Sequence, residues 1–157
     1  MKLDEIYLKE NNLKKEGSKY CDFYSLGNGE GVRVFNKKEK DNFDFISNAF
    51  NMNKLAYEKG VLVPEPYSLV EVKTDEGNYL GIHMRDLGKV TLEDVLPQDW
   101  EDARDSWIKQ VLKANMAGFS CNDSNKKRNA LWVPEERKTY LIDCDFWKYN
   151  GIGWGDF

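Results

Sequence analysis

The stretch Tyr24-Ser25-Leu26-Gly27-Asn28-Gly29-Glu30-Gly31-Val32-Arg33-Val34-Phe35 decides how this chain folds. From Lys19 to Leu26 aromatic and polar residues alternate, as on a strand with one covered face. Gly27 to Gly31 breaks the run, and Val32 to Phe35 resumes β-branched and aromatic character. Two such runs joined by a glycine-rich turn predict a β-hairpin. The spacing Gly27-x-Gly29-x-Gly31 reads as that turn in preference to a phosphate cradle, for which glycine spacing alone is a weak sign.

Downstream, a polar stretch leads into Phe43, Ile46, Ala49, Phe50 and Tyr57, whose spacing of three, four and seven suits one apolar helix face ended by Gly60. Val61-Leu62-Val63-Pro64-Glu65-Pro66 reads as extended, because proline excludes helix for its predecessor. Residues 67–73 and 79–84 read as strands joined by a turn over residues 74–78. Together these segments make five short strands around one helix. From Asp99, a plausible N-cap, the pattern becomes Trp100, Ala103, Trp107, Val111 and Ala114, a helical stripe closed by Gly118. Two short strands, residues 130–133 and 139–142, follow around Pro134-Glu135-Glu136-Arg137-Lys138. The fold class is therefore α+β: a twisted antiparallel sheet of about five strands carrying one helix, then a short helical part.

Composition narrows the functional classes. A chain of 157 residues suits one domain, and 41% hydrophobic with 13% aromatic residues is too apolar for disorder. A net charge of −4 gives no basic field for non-specific nucleic-acid binding. The run Lys126-Lys127-Arg128 reads as a solvated loop, with a phosphate contact as the alternative. Cys21, Cys121 and Cys144 form no Cys-x-x-Cys pair and stand near no histidine, so neither a disulfide framework nor zinc is expected, and a cytoplasmic setting fits. No stretch approaches the roughly 18 apolar residues of a membrane span, and Met1-Lys2-Leu3-Asp4-Glu5 has no signal core. His83, the one histidine, reads as a strand residue.

Four segments, in this order and spacing, resemble the protein-kinase-like superfamily, nearest its small aminoglycoside-phosphotransferase-like and atypical branch. The hairpin above resembles two strands of the N-terminal lobe. Leu55-Ala56-Tyr57-Glu58-Lys59-Gly60-Val61-Leu62-Val63-Pro64-Glu65-Pro66 resembles the end of the lobe's helix and the strand entry after it. Gly81-Ile82-His83-Met84-Arg85-Asp86-Leu87-Gly88-Lys89-Val90-Thr91-Leu92 resembles the hinge strand. Cys121-Asn122-Asp123, Asn129-Ala130-Leu131-Trp132 and Leu141-Ile142-Asp143-Cys144-Asp145 resemble the catalytic and metal-binding segments.

The resemblance implies one kinase-like domain over residues 1–157, with an N-lobe-like part to about residue 88 and a minimal, truncated C-lobe-like part from about 89. It implies ATP and Mg²⁺ as ligands. Gly17 and Ser18 would cover the phosphates, Arg33 would stand at the phosphate-holding lysine position, and Met84 to Asp86 would border the adenine. Asn129 and Asp143 would hold the metal, because Mg²⁺ favours a carboxylate with an amide oxygen. Asp123 would orient or deprotonate an acceptor hydroxyl. Arg33 is expected on the strand face opposite Val32 and Val34, towards the cleft between lobes.

The chain departs from that pattern where phosphates are positioned. Arg33 replaces a lysine, to which guanidinium is not equivalent. Ser47-Asn48-Ala49-Phe50-Asn51 supplies no acid in the middle of the helix, Cys121 replaces a histidine, and the interval from Asp123 to Asn129 is one residue longer than the family's. Only twelve residues follow Asp145. The expectation is a degenerate kinase-like protein that acts mainly by binding a protein partner, as an inhibitor or regulator, with residual Mg²⁺-nucleotide binding. The alternative is a minimal ATP-dependent phosphotransferase. Trp147, Tyr149, Trp154 and Phe157 read either as interface anchors or as a cover for the core.

Overall fold

A computed structural model describes residues 2–9, 12–15, 21–35, 43–121 and 123–151. The chain is α+β and divides into two compact units, Met1–Asn51 with Glu65–Asp86, and Met52–Pro64 with Leu87–Phe157. The first contains β1 (Asp4–Tyr7), β2 (Leu13–Lys15), β3 (Cys21–Gly27), β4 (Glu30–Phe35), the start of α1 (Phe43–Glu58), β5 (Pro66–Thr74) and β6 (Gly77–Arg85). Its described strands form one sheet in the order β1-β5-β6-β4-β3-β2. Five of the six are antiparallel neighbours, while β1 runs parallel to β5 at the edge.

The hairpin forms as its residues predict. Gly27 pairs with Glu30, so Asn28-Gly29 is a two-residue turn, and both residues have positive φ (56° and 75°). That geometry matches the twist of the strands it joins, and asparagine and glycine are the residues that tolerate it. Alternation along β4 then sorts its side chains. Val32 and Val34 join Val70 and Val72 on one face, while Phe35 joins Cys21, Ile82 and Met84 on the other, where Ile46 and Ala49 of α1 pack. Both sets are buried, so both faces of this sheet carry apolar clusters.

Two differences from expectation concern strand membership. Residues 61–65 are extended but belong to no ladder: the Leu62 N–H donates to Gln110 Oε1 (2.9 Å) and the Leu62 carbonyl accepts from the Leu141 N–H (2.8 Å). The sheet instead gains β1 and β2, two short segments that expectation left out. β1 matches Asp4 to Val70 and Tyr7 to Lys73, a pairing across more than sixty residues that no local pattern announces.

The second unit holds the last part of α1, then α2 (Trp100–Met116), β7 (Phe119–Ser120), β8 (Ala130–Val133), β9 (Lys138–Leu141) and β10 (Lys148–Tyr149). α1 closes as Gly60 implies. The Gly60 N–H donates to the Tyr57 carbonyl and the Val61 N–H to that of Ala56, a paired closure with Val61 and Ala56 in one apolar cluster. α2 buries Ala103 and Ala114 and half-buries Trp100, Trp107 and Val111, the expected stripe. Thr139 fastens β9 to this helix: its Oγ1–H donates to the Ala103 carbonyl and its N–H to Ser106 Oγ, each at 2.8 Å.

Asp99 stands at the N-cap of α2 as expected, but its side chain makes no cap hydrogen bond. Its carboxylate accepts from Arg137 Nη1 at 2.6 Å, and Asp102 accepts from Nη2 of the same guanidinium. Arg137 also lies over the Trp132 ring, 4.9 Å from its centroid. The two carboxylates, Asp102 first, hold the guanidinium's pKa above its ordinary value. A cation with two such partners competes better for Asp99 than the exposed N–H groups of a helix start.

Trp132 and Trp147, 1% and 3% exposed, anchor the core of the second unit beside Leu92, Phe119 and Leu141. Neither indole N–H finds a hydrogen-bond partner among the described residues. Trp147 therefore covers core and is not an exposed anchor, while Tyr149 is exposed and lies tilted against Phe119 with ring centroids 5.0 Å apart. Trp154 and Phe157 lie outside the described residues. No described helix is long and apolar enough to cross a membrane.

Candidate functional site

In the first unit the candidate residues are Arg33, Met84 and Asp86. Arg33 lies on the strand face opposite Val32 and Val34, where Cys21 of β3 and Phe35 of its own strand engage it. Its Nε–H donates to Cys21 Sγ at 3.0 Å, and its guanidinium lies 4.9 Å from the centroid of the Phe35 ring. α1 contributes Phe45, Ile46, Ala49 and Phe50 to the apolar cluster around Phe35. Met84 is 5% exposed and its side chain is core. Asp86 accepts a short hydrogen bond from Ser25 Oγ (2.5 Å), and its N–H donates to the Gly29 carbonyl (2.9 Å). These two bonds tie the residue after β6 to the hairpin. Gly17 and Ser18 lie outside the described residues.

In the second unit Asp123, Asn129 and Asp143 come from one small assembly. Ala130 pairs with Leu141, so Asn129 enters β8 at the end where the chain leaves β9. The Ile142 N–H donates to the Asn129 carbonyl at 3.0 Å, which holds the residue before Asp143 against Asn129. Asn129 Nδ2 donates to the Asp123 carbonyl, also at 3.0 Å. This bond uses the nitrogen end of the amide and leaves the oxygen as the end able to meet a cation. Asp123 is exposed, and its carboxylate lies 3.1 Å from Lys126 Nζ. Lys126, three residues along, was readable as a partner from spacing alone.

The backbone is unusual at the same two aspartates. Among the described residues only Asn28, Asp123, Arg137 and Asp143 have positive φ without being glycine. Asp123 (63°) and Asp143 (61°) thus hold left-handed conformations away from the hairpin turn. Aspartate tolerates this region better than most residues, yet such positions are uncommon and concentrate where a side chain must be aimed.

Exposed oxygen donors of this kind fit a hard divalent cation. No three of His, Cys, Asp and Glu converge on one point among the described residues. A cation held here would therefore rely on Asp143, the neutral amide of Asn129 and oxygens of its own ligand.

Cys121 stands where the resemblance calls for histidine, and burial pushes its thiol up to about 12. It is a protonated thiol at neutral pH and cannot act as an acid or base there. In the native protein at pH 8, Cys121 should react with iodoacetamide about a thousandfold more slowly than an ordinary thiol, because the thiolate is the nucleophile. The folded thiol keeps its proton above the pH at which the unfolded thiol, near 9.0, releases it. This contribution to stability is fully present below pH 9 and is lost as pH rises towards 12. Mass spectrometry of alkylated peptides checks the rate, and labelling of Cys121 as fast as free cysteine would refute the assignment.

Compared with known proteins, the chain matches no protein-family model and no curated protein.

Proposed function

We propose that this chain is a degenerate kinase-like module that retains a Mg²⁺-nucleotide corner, transfers phosphoryl groups poorly and acts mainly by binding a protein partner as a regulator. The observation that carries this reading is the setting of Arg33. Its Nε–H is directed to Cys21 Sγ, and its guanidinium lies over the Phe35 ring. Phosphoryl transfer depends on positioning and charge neutralisation, for which an ammonium held by an acid is the usual device. A planar guanidinium is bulkier than that ammonium and not interchangeable with it.

Asp143 and Asn129 would hold the metal. A bound Mg²⁺ supplies neutralisation of phosphate charge. The chain's own contribution is to fix the amide of Asn129 against the Asp123 carbonyl and to hold Asp143 in a left-handed backbone conformation.

A thermal-shift titration with Mg²⁺-ATP tests the corner, since ligand binding to the native state raises stability by mass action. The expected result is a shift of a few degrees that Asp143→Ala abolishes and Asn129→Ala reduces. A shift that survives Asp143→Ala would move the site elsewhere.

One observation favours the alternative, a minimal phosphotransferase: the Asn129–Asp123 hydrogen bond keeps the catalytic candidate tied to the metal candidate. Robust transfer from radiolabelled ATP, eliminated by Asp123→Ala, would establish that reading. Absence of transfer, with the partner-dependent effect intact in Asp123→Ala, supports the one proposed.

A further inference from the structure

α2 carries a second face that its own unit leaves open. Ile108, Leu112 and Met116 recur every four residues and so share one side of the helix. They are 49%, 40% and 69% exposed, a continuous apolar stripe and not scattered single residues. Asp105, Lys109 and Lys113 flank it, and all six residues lining this surface come from the one helix. Charge is divided along its length. Glu101, Asp102, Arg104 and Asp105 leave the first half net negative, with Asp102 held by Arg137, while Lys109 and Lys113 make the second half positive.

We propose that this face joins two copies of the chain through antiparallel α2 helices. The division of charge selects both the occupant and the direction. Antiparallel packing brings Ile108 of one copy beside Leu112 of the other and sets Asp105 near Lys113. Parallel packing would oppose each charge to itself, and like charges in register disfavour a pairing. Arg104 reaches Asp105 at 3.3 Å along the helix, but this contact is exposed and is readily shared or exchanged. The apolar side chains of one 17-residue helix bury less than the roughly 1,600 Å² of a standard stable interface. The dimer is accordingly weak, with a dissociation constant on the order of tens of micromolar.

Sedimentation equilibrium on the full chain tests the proposal. The mean mass should rise with concentration from 18.3 kDa towards about twice that value. Leu112→Glu should hold the monomer mass throughout with unchanged far-UV circular dichroism. Asp105→Lys, a surface change that leaves folding alone, should raise the concentration needed for dimerisation about tenfold, and adding Lys113→Asp should restore it. A wild-type chain that stays monomeric overturns the proposal, including the case in which a different protein occupies this face. A dimer that survives Leu112→Glu, or an Asp105→Lys loss that Lys113→Asp does not repair, overturns it as well.

Discussion

Trp132→Ala is expected to destabilise the protein by about 3–5 kcal/mol, the range for removing a large aromatic side chain from a packed core. Trp132 is 1% exposed, packs among the largest apolar cluster of its unit and supports Arg137, which lies over its ring. Its indole N–H makes no hydrogen bond among the described residues, so Trp132→Phe separates volume from polarity. Phenylalanine keeps most of the packing and removes a buried donor whose desolvation opposes folding. That variant should cost about 1–2 kcal/mol. Urea unfolding measures both. A loss below 1 kcal/mol for the alanine variant would mean that Trp132 does not organise this core.

Gly118→Ala should cost about 2–4 kcal/mol, a large figure for one methyl group. Two causes combine. Gly118 has φ of 102°, which side chains rarely adopt, and an added Cβ would lie 2.6 Å from Gly151 Cα and 2.8 Å from its N and C. These are backbone atoms and cannot rotate aside. They are also held in place, because the Asn150 N–H donates to the Gly118 carbonyl and β10 pairs with β7. Gly151→Ala is the internal comparison: φ there is 74°, but a Cβ meets only the Tyr149 ring at 3.5 Å or more. Its cost should be nearer 1 kcal/mol. Equal denaturation midpoints for the two alanine variants would exclude the close approach as the cause.

What could be read from the sequence was what depends on neighbours along the chain. The Asn28-Gly29 turn, the closure of α1 at Gly60 and the buried stripe of α2 each follow from residues within a few positions of one another. The places where expectation and structure part involve distant partners. β1 requires β5, more than sixty residues away. Asp99 carries the composition of an N-cap, but Arg137, 38 residues on, takes its carboxylate. Residues 61–65 have the β-branched character of a strand, but the Leu62 N–H donates to Gln110 of α2 and its carbonyl accepts from the Leu141 N–H, outside any ladder.

The candidate site divides in the same way. Asn129 and Asp143 entered it through the resemblance of the segments around two short strands. The bond from Asn129 Nδ2 to the Asp123 carbonyl could not, since every residue offers a carbonyl and only the path of the loop selects one. Nor could the contact between Arg33 and Cys21 be read off, because it depends on the register of β3 against β4. Tryptophan in the last part of the chain was equally ambiguous, since an anchor and a core cover use the same ring. Burial decides it for Trp147.

The edge pairing of β1 and the late position of β6 also set an order of events during synthesis. β4 lies between β3 and β6, so the hairpin emerging first has its central strand open on one side until residue 85 has been made. β1 waits as long for its neighbour β5 to be built into the sheet. The segment 52–64, which belongs to the other unit, leaves the ribosome in between. The nascent chain thus carries half a sheet with an unsatisfied edge for several seconds at ordinary elongation rates of about 5–20 residues per second. Slow codons before residue 85 should lengthen the period in which chaperones or neighbouring nascent chains can occupy that edge, and fast translation through this stretch should favour soluble product.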